Sequence, residues 1–197
     1  IGGGFIMNRK CMNDCAARGY IADYVNTLGT MICGMASAGT EDSISGIFIR
    51  QMIPHHRAAI AMAESILECT DNNEIASIAQ NIVVEQTKSI ENMQNSTCCC
   101  DGVTNCCKDV CEYRKRMNGV MKRMFREMRC AALDNNADCN FLRTMIPHHR
   151  GAVEMARVAM CYCICEELCP ILKSIIESQE KGICRMEELA DCLCCCR

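Results

Sequence analysis

The chain has 197 residues, half of them apolar, and a formal charge of -3; that length suits one domain with a sizeable core or two small ones, and the near-neutral charge argues against a nucleic-acid partner. No apolar run reaches the roughly 18 residues of a membrane span. With no Trp, four Tyr, four Phe, three Pro and 15 Met, the core must be aliphatic and methionine-rich, and the fold all-helical.

Gly2-Gly3-Gly4 opens the chain without a preceding strand and so is no phosphate loop. The first predicted helix starts at Asn26 or earlier and runs to about Ser37, with Leu28, Met31 and Met35 at helical spacing. The second follows Gly39-Thr40-Glu41-Asp42, with Thr40 as its expected N-cap, and reaches about Cys69. It contains "MIPHHR" at Met52–Arg57. The third opens at Asp71-Asn72-Asn73-Glu74, a capping-box arrangement, and shows a core stripe of Ile75, Ile78, Ile82, Gln86, Ile90 and Met93. Residues 96–111, "STCCCDGVTNCCKDVC", form a Cys-rich connector with an Asp-Gly turn signal. A fourth helix then carries Met117, Met121, Met124 and Met128, and a fifth a second "MIPHHR" at Met145–Arg150. Pro170 is expected in the first turn of the sixth, where a missing N–H costs nothing. A Cys-rich tail, 192–197, ends the chain.

A shift of 93 residues superimposes the sequence on itself: between Phe48–Ala63 and Phe141–Ala156, 11 of 16 positions are identical. The register continues without a gap through Ile82/Ile175, Gln86/Gln179, Lys88/Lys181, Ile90/Ile183 and Met93/Met186. Residues 1–191 therefore read as one helical domain built from two repeats, 20–93 and 113–186. The expected architecture is a four-helix bundle with the remaining helices as crossovers.

The two hexapeptides hold all four histidines. On a helix, Met52 neighbours His55 and His56, and Met62 follows His55 two turns on; Met145, His148, His149 and Met155 repeat the stripe. Pro54 and Pro147 free the carbonyls of Arg50 and Arg143 beside the histidines. Packing around the proline is the plain explanation. Yet Met-x-x-His-His persists in both copies while Ala61 has become Glu154 and Glu64 Arg157. Imidazole and thioether with no converging carboxylate suit a soft or borderline ion, above all Cu(I). Di-iron bundles use Glu-x-x-His pairs and hydrolytic zinc helices His-Glu-x-x-His; neither pattern is present. No general acid/base pair can be placed, so an enzyme is not expected.

"FIRQMIPHHRAAIAMAE" (Phe48–Glu64) and "FLRTMIPHHRGAVEMAR" (Phe141–Arg157), each followed by a helix ending Gln-x-x-x-Ile-x-x-Met, closely resemble domain-of-unknown-function family three hundred and five over roughly residues 41–191. The resemblance implies a ferritin-like helical bundle, often exported, with links to copper. It places the site on His55, His56, Met62, His148, His149 and Met155, with Met52 and Met145 as helpers. Family members often carry further Met and His in exposed segments, where this chain carries Cys.

The 21 cysteines include Cys98-Cys99-Cys100, Cys106-Cys107, Cys111, Cys192 and Cys194-Cys195-Cys196. Adjacent cysteines rarely bond each other, so these clusters suggest intermolecular disulfides, thiolate metal binding, or both. Spacings of four, as in Cys11/Cys15, Cys107/Cys111 and Cys161/Cys165, would share a helix face. Two functions follow: a non-enzymatic Cu(I) binding or storage protein, or a structural homo-oligomer cross-linked into an extracellular fibre, lattice or spore-surface layer. An exported or surface location is favoured over the cytoplasm. No secretory leader is legible, and a chain opening on Ile1 is compatible with removal of an upstream segment.

Overall fold

Each half of the duplicated sequence folds as the three helices that its apolar spacing requires. The computed structural model describes residues 9–39 and 42–194, with side chains from residue 14 onward. The helices are α1 (Arg9–Ala36), α2 (Ile44–Leu67), α3 (Asn73–Asp101), α4 (Cys107–Arg129), α5 (Ala137–Ala159) and α6 (Leu168–Cys194), with no strand among the described residues. None of the helices is long and apolar enough to cross a membrane.

Side-chain oxygens start the helices as the sequence demands, with one change. Thr40, the expected cap of α2, lies outside the described residues, and Ser43 caps instead, its Oγ accepting from Gly46 N at 3.1 Å. Asn72 caps α3 by accepting from Glu74 N and Ile75 N. Asn136 caps α5 by accepting from Cys139 N, and Pro170 sits in the first turn of α6. Each such cap is worth about 1 kcal/mol.

The two motif helices, α2 and α5, form the centre and are buried on most of their surface. α3 packs on α2, α6 on α5, and α3 on α6, which closes a four-helix bundle. α1 lies against α2 and α5, and α4, the first helix of the second repeat, packs on α5. The methionines of the flanking helices face inward, with Met31, Met35, Met117, Met124 and Met128 at most 2% exposed. Tyr20 of α1 is also buried and shares a 2.8 Å hydrogen bond with Thr144 of α5.

The connector is more ordered than its composition suggests. α3 continues through Cys98, Cys99 and Cys100 because Cys100, seven residues beyond Met93, extends the same buried stripe. The Asp101-Gly102 signal then ends the helix, with Gly102 at the C-cap. Only a short loop remains before Cys106 caps α4. The tail is likewise helical through Cys194, while Cys195 and Cys196 lie outside the described residues.

Cys194 forms a disulfide with Cys139 at the start of α5, across 55 residues of chain. This pairing was not legible in the spacing. The 93-residue shift sends Cys139 to Gly46 and Cys194 to Asp101, the corresponding start of α2 and end of α3. There Asp101 holds Arg50 in a two-pronged ion pair with both contacts at 2.7 Å. One repeat therefore closes the helix pair with an ion pair, the other with a covalent bond.

Candidate metal centre

Both prolines lie within unbroken helices. Above the first, Gly34 brings α1 close: a Cβ on Gly34 would stand 2.8 Å from Pro54 Cβ. Behind the prolines, all four histidines point into the core, at most 2% exposed. Met52, Met62, Met145 and Met155 are buried with them, whereas Arg57 and Arg150 turn to the surface.

The duplicated motif divides into two chemically different pairs. His55 and His148 meet between α2 and α5, their rings stacked with centroids 3.6 Å apart and planes 27° from parallel. His56 and His149 flank this stack, each with its centroid 5.9 Å from its chain neighbour's. His148 Nε2 lies 3.0 Å from the His55 carbonyl oxygen. A carbonyl only accepts, so Nε2 carries the proton and Nδ1 is left as a bare lone pair. His56 Nε2 is 3.1 Å from Ser89 Oγ of α3.

Burial sets the protonation of all four. It lowers the His56 pKa to about 3 and that of His148 to about 4, and holds His55 and His149 well below the ordinary imidazole value, with the neighbouring histidines adding to the effect on His55, His56 and His149. The four rings are thus neutral. Five of their nitrogens are buried without a hydrogen-bond partner: both of His55 and Nδ1 of His56, His148 and His149. Interiors rarely leave such atoms unsatisfied, because each costs about 1–3 kcal/mol.

This donor set is selective. Stacked imidazoles carry their lone pairs in parallel planes, so the inner pair does not converge on one ion. Among the described residues no three His, Cys, Asp or Glu side chains are grouped to hold a metal. Zinc and iron sites, which draw on three or four such ligands, do not fit. A monovalent soft ion such as Cu(I) does, since neutral imidazole and thioether satisfy it at low coordination number. The outer histidines and the buried methionines supply those two donor types.

The outer histidines are also those nearest solvent. His56 lies at one cleft of about 250 Å³ between α3 and α6, with Gln86, Lys88, Ser89 and Gln179 among its lining residues. His149 lies at a second, of about 130 Å³, with Lys181, Gly182 and Arg185. All nine residues lining the second cleft are 93-residue images of residues lining the first. Neither Gln86 amide atom has a partner, nor has Gln179 Oε1, although both side chains are nearly fully buried. The sequence stripe marked Gln86 as a core position and was silent on Ser89 and Gly182; the signal lay in a difference between the repeats, Ser in one and Gly in the other.

The cysteines gather elsewhere. Cys98, Cys99, Cys106, Cys107, Cys111 and Cys192 are exposed, and Cys100 is buried. Cys107 and Cys111 share a helix face as their spacing requires, with sulfurs 4.0 Å apart. Cys161 and Cys165 fall around the turn between α5 and α6, so their spacing of four is not a helical one.

The family described as "Domain of unknown function (DUF305)" matches residues 46–190. A solved structure described as "CopM in the Ag-bound form (by soaking)" is similar at 27% identity and a TM-score of 0.56, over 76% of this chain and 96% of that one. A DUF305 fragment from Deinococcus radiodurans shares the fold at 23% identity and a TM-score of 0.54, over 76% of this chain and 97% of that one. No curated protein matches the chain.

Proposed function

This chain belongs to the DUF305 family, and on that premise we propose that it is a non-enzymatic protein that binds or stores Cu(I) through the Met/His core of its bundle. The observation that carries the reading is the set of four neutral, buried histidines with five unpartnered ring nitrogens in a methionine-rich core. The similarity to CopM, solved with silver bound, supports a soft monovalent ion as the cargo. His56, His149 and the buried methionines would hold it, and the stacked inner pair would position them. The test is a titration of reduced protein with Cu(I) against a competing chelator. At least one tight equivalent is expected, and its loss when His55, His56, His148 and His149 are replaced. A wild-type protein that takes up no tight equivalent refutes the reading.

A second role is favoured by the cysteines: Cys192 aside, eleven of the fifteen free ones among the described residues are exposed. A chain with such a surface would cross-link to copies of itself in an oxidising compartment, and the Cys139–Cys194 disulfide supports an exported or surface location. Non-reducing electrophoresis decides: a high-mass ladder that collapses with reductant supports it, and a clean monomer sinks it.

A further inference from the structure

Among the described residues, Cys100 and Cys165 are the two thiols that are buried, at 0% and 2% exposed. The start of α2 brings them together. Ser43 Oγ donates to the Cys100 carbonyl at 2.6 Å, and Ser45 Oγ accepts from Cys165 N at 2.9 Å. Two serines thus hold the end of α3 and the turn between α5 and α6 at one place. There the Cys100 thiol is hydrogen-bonded to the Cys165 sulfur, and the Cys165 thiol donates in turn to Glu167 Oε2 at 2.7 Å. Glu167 is exposed, so the pair lies one side chain from solvent. The 93-residue shift pairs Cys100 with Leu193 and Cys165 with Asn72, so duplication does not account for the meeting of two cysteines here.

We propose that Cys100 and Cys165 close a second intramolecular disulfide, which ties α3 of the first repeat to the α5–α6 turn of the second. It uses neither the histidine core nor the exposed cysteines. The surroundings select this bond over a metal thiolate. Burial first, then Cys165, Glu167 and Cys99, push the Cys100 thiol up to about 12. A soft monovalent ion held by both sulfurs would leave a net negative charge beside the Glu167 carboxylate, whereas a disulfide is neutral and suits a buried site. The step is exchange with a low-molecular-weight disulfide. The Cys165 sulfur gives up its proton, attacks one sulfur of the oxidant and expels the other as a thiolate. Cys100 gives up its proton and displaces the second thiolate from the mixed disulfide. Two protein thiols become one disulfide, and the oxidant leaves as two thiols. The sulfurs must close to about 2.05 Å, and residues 160–167, which form no helix, supply the movement. The Cys139–Cys194 bond lies wholly within α5 and α6, so this second bond is the one that joins the halves covalently.

The full chain, reduced and then equilibrated with oxidised and reduced glutathione at a series of ratios, tests the proposal. After acid quenching and alkylation in denaturant, mass spectrometry of the proteolytic peptides is expected to find Cys100 joined to Cys165 wherever Cys139–Cys194 has formed. Cys98→Ser, Cys99→Ser and Cys163→Ser, all at exposed neighbours, should leave that link in place. Cys165→Ala should lower the thermal midpoint of the oxidised protein by roughly 10 °C more than that of the reduced protein, because only the oxidised chain has a bond to lose. Recovery of both thiols alkylated under conditions that form Cys139–Cys194, or of Cys100 joined to a different cysteine, overturns the proposal. So does a midpoint loss in Cys165→Ala that is equal in oxidised and reduced protein.

Discussion

Acidification of the metal-free protein is the perturbation that bears most directly on the histidine core. All four rings are fully buried, with pKa values lowered first by desolvation, to about 3 for His56 and about 4 for His148 and well down for His55 and His149. In the unfolded chain each takes a proton near pH 6.5. Below that pH the unfolded state binds more protons than the folded one, so stability falls as pH falls; above it the histidines contribute no slope. Each contributes about 1.4 kcal/mol per pH unit, and four together approach ~5 kcal/mol per unit. By about pH 5 the accumulated loss is ~8 kcal/mol, comparable to the whole stability of an ordinary domain. Urea unfolding followed by circular dichroism between about pH 7.5 and pH 5 measures it, and replacing His56 by Leu should remove about a quarter of the slope. A midpoint that stays constant down to about pH 5.5 would refute the argument, because the rings would then be protonated or hydrated in the folded protein.

Breaking the Cys139–Cys194 bond with paired serines releases a 55-residue span. Loop-closure entropy puts the loss at up to about 4 kcal/mol, or roughly 10 °C in the thermal midpoint at this chain size, read by calorimetry. At Met145, fully buried beside the motif, Met145→Leu should cost less than about 1.5 kcal/mol and Met145→Ala about 2–5 kcal/mol in chemical denaturation. If Met145 also serves as a ligand, Met145→Leu lowers Cu(I) affinity in the chelator competition while stability holds; unchanged affinity assigns it to packing alone.

The fold was legible because its signals are local and repeated. The stripes of Ile75, Ile78, Ile82, Ile90 and Met93 and of the α4 methionines need only helical spacing to be read, and all of these residues are buried. The 93-residue shift then paired the helices of the two halves. The stacking of His55 on His148 was not legible, since it depends on how α2 crosses α5. Nor was the Cys139–Cys194 bond: with 21 cysteines, partners are chosen by helix ends meeting in space. The helical part of the connector was hidden by its composition: Cys98–Cys100 belong to α3, where Cys100 behaves as a small hydrophobe at the next core position.

Duplication makes the chain its own control, and the differences between the halves are more informative than the identities. His55 and His148 are equivalent in sequence and in role: each supplies half of one stack, so neither can change alone without leaving the other's ring exposed to a gap. His56 and His149 are equivalent in sequence only. His56 Nε2 faces the Ser89 hydroxyl, whereas the His149 ring packs on Gly182, where a Cβ would already lie 3.1 Å from it, so two identical hexapeptides end with different neighbours at their outer nitrogens. The same divergence occurs at the helix ends, where Gly46 and the Arg50-paired Asp101 in one half stand at the positions of Cys139 and Cys194 in the other. The second repeat thus holds the covalent closure and the glycine-packed histidine together. A disulfide at the far end of α5 and α6 holds the two helices that carry His149, Gly182 and Met186. Reducing that bond should therefore loosen the second cleft and leave the Ser89–His56 contact of the first repeat intact. Histidine-ring NMR with and without reductant reads the difference, and equal changes at His56 and His149 would show that the repeats move as one.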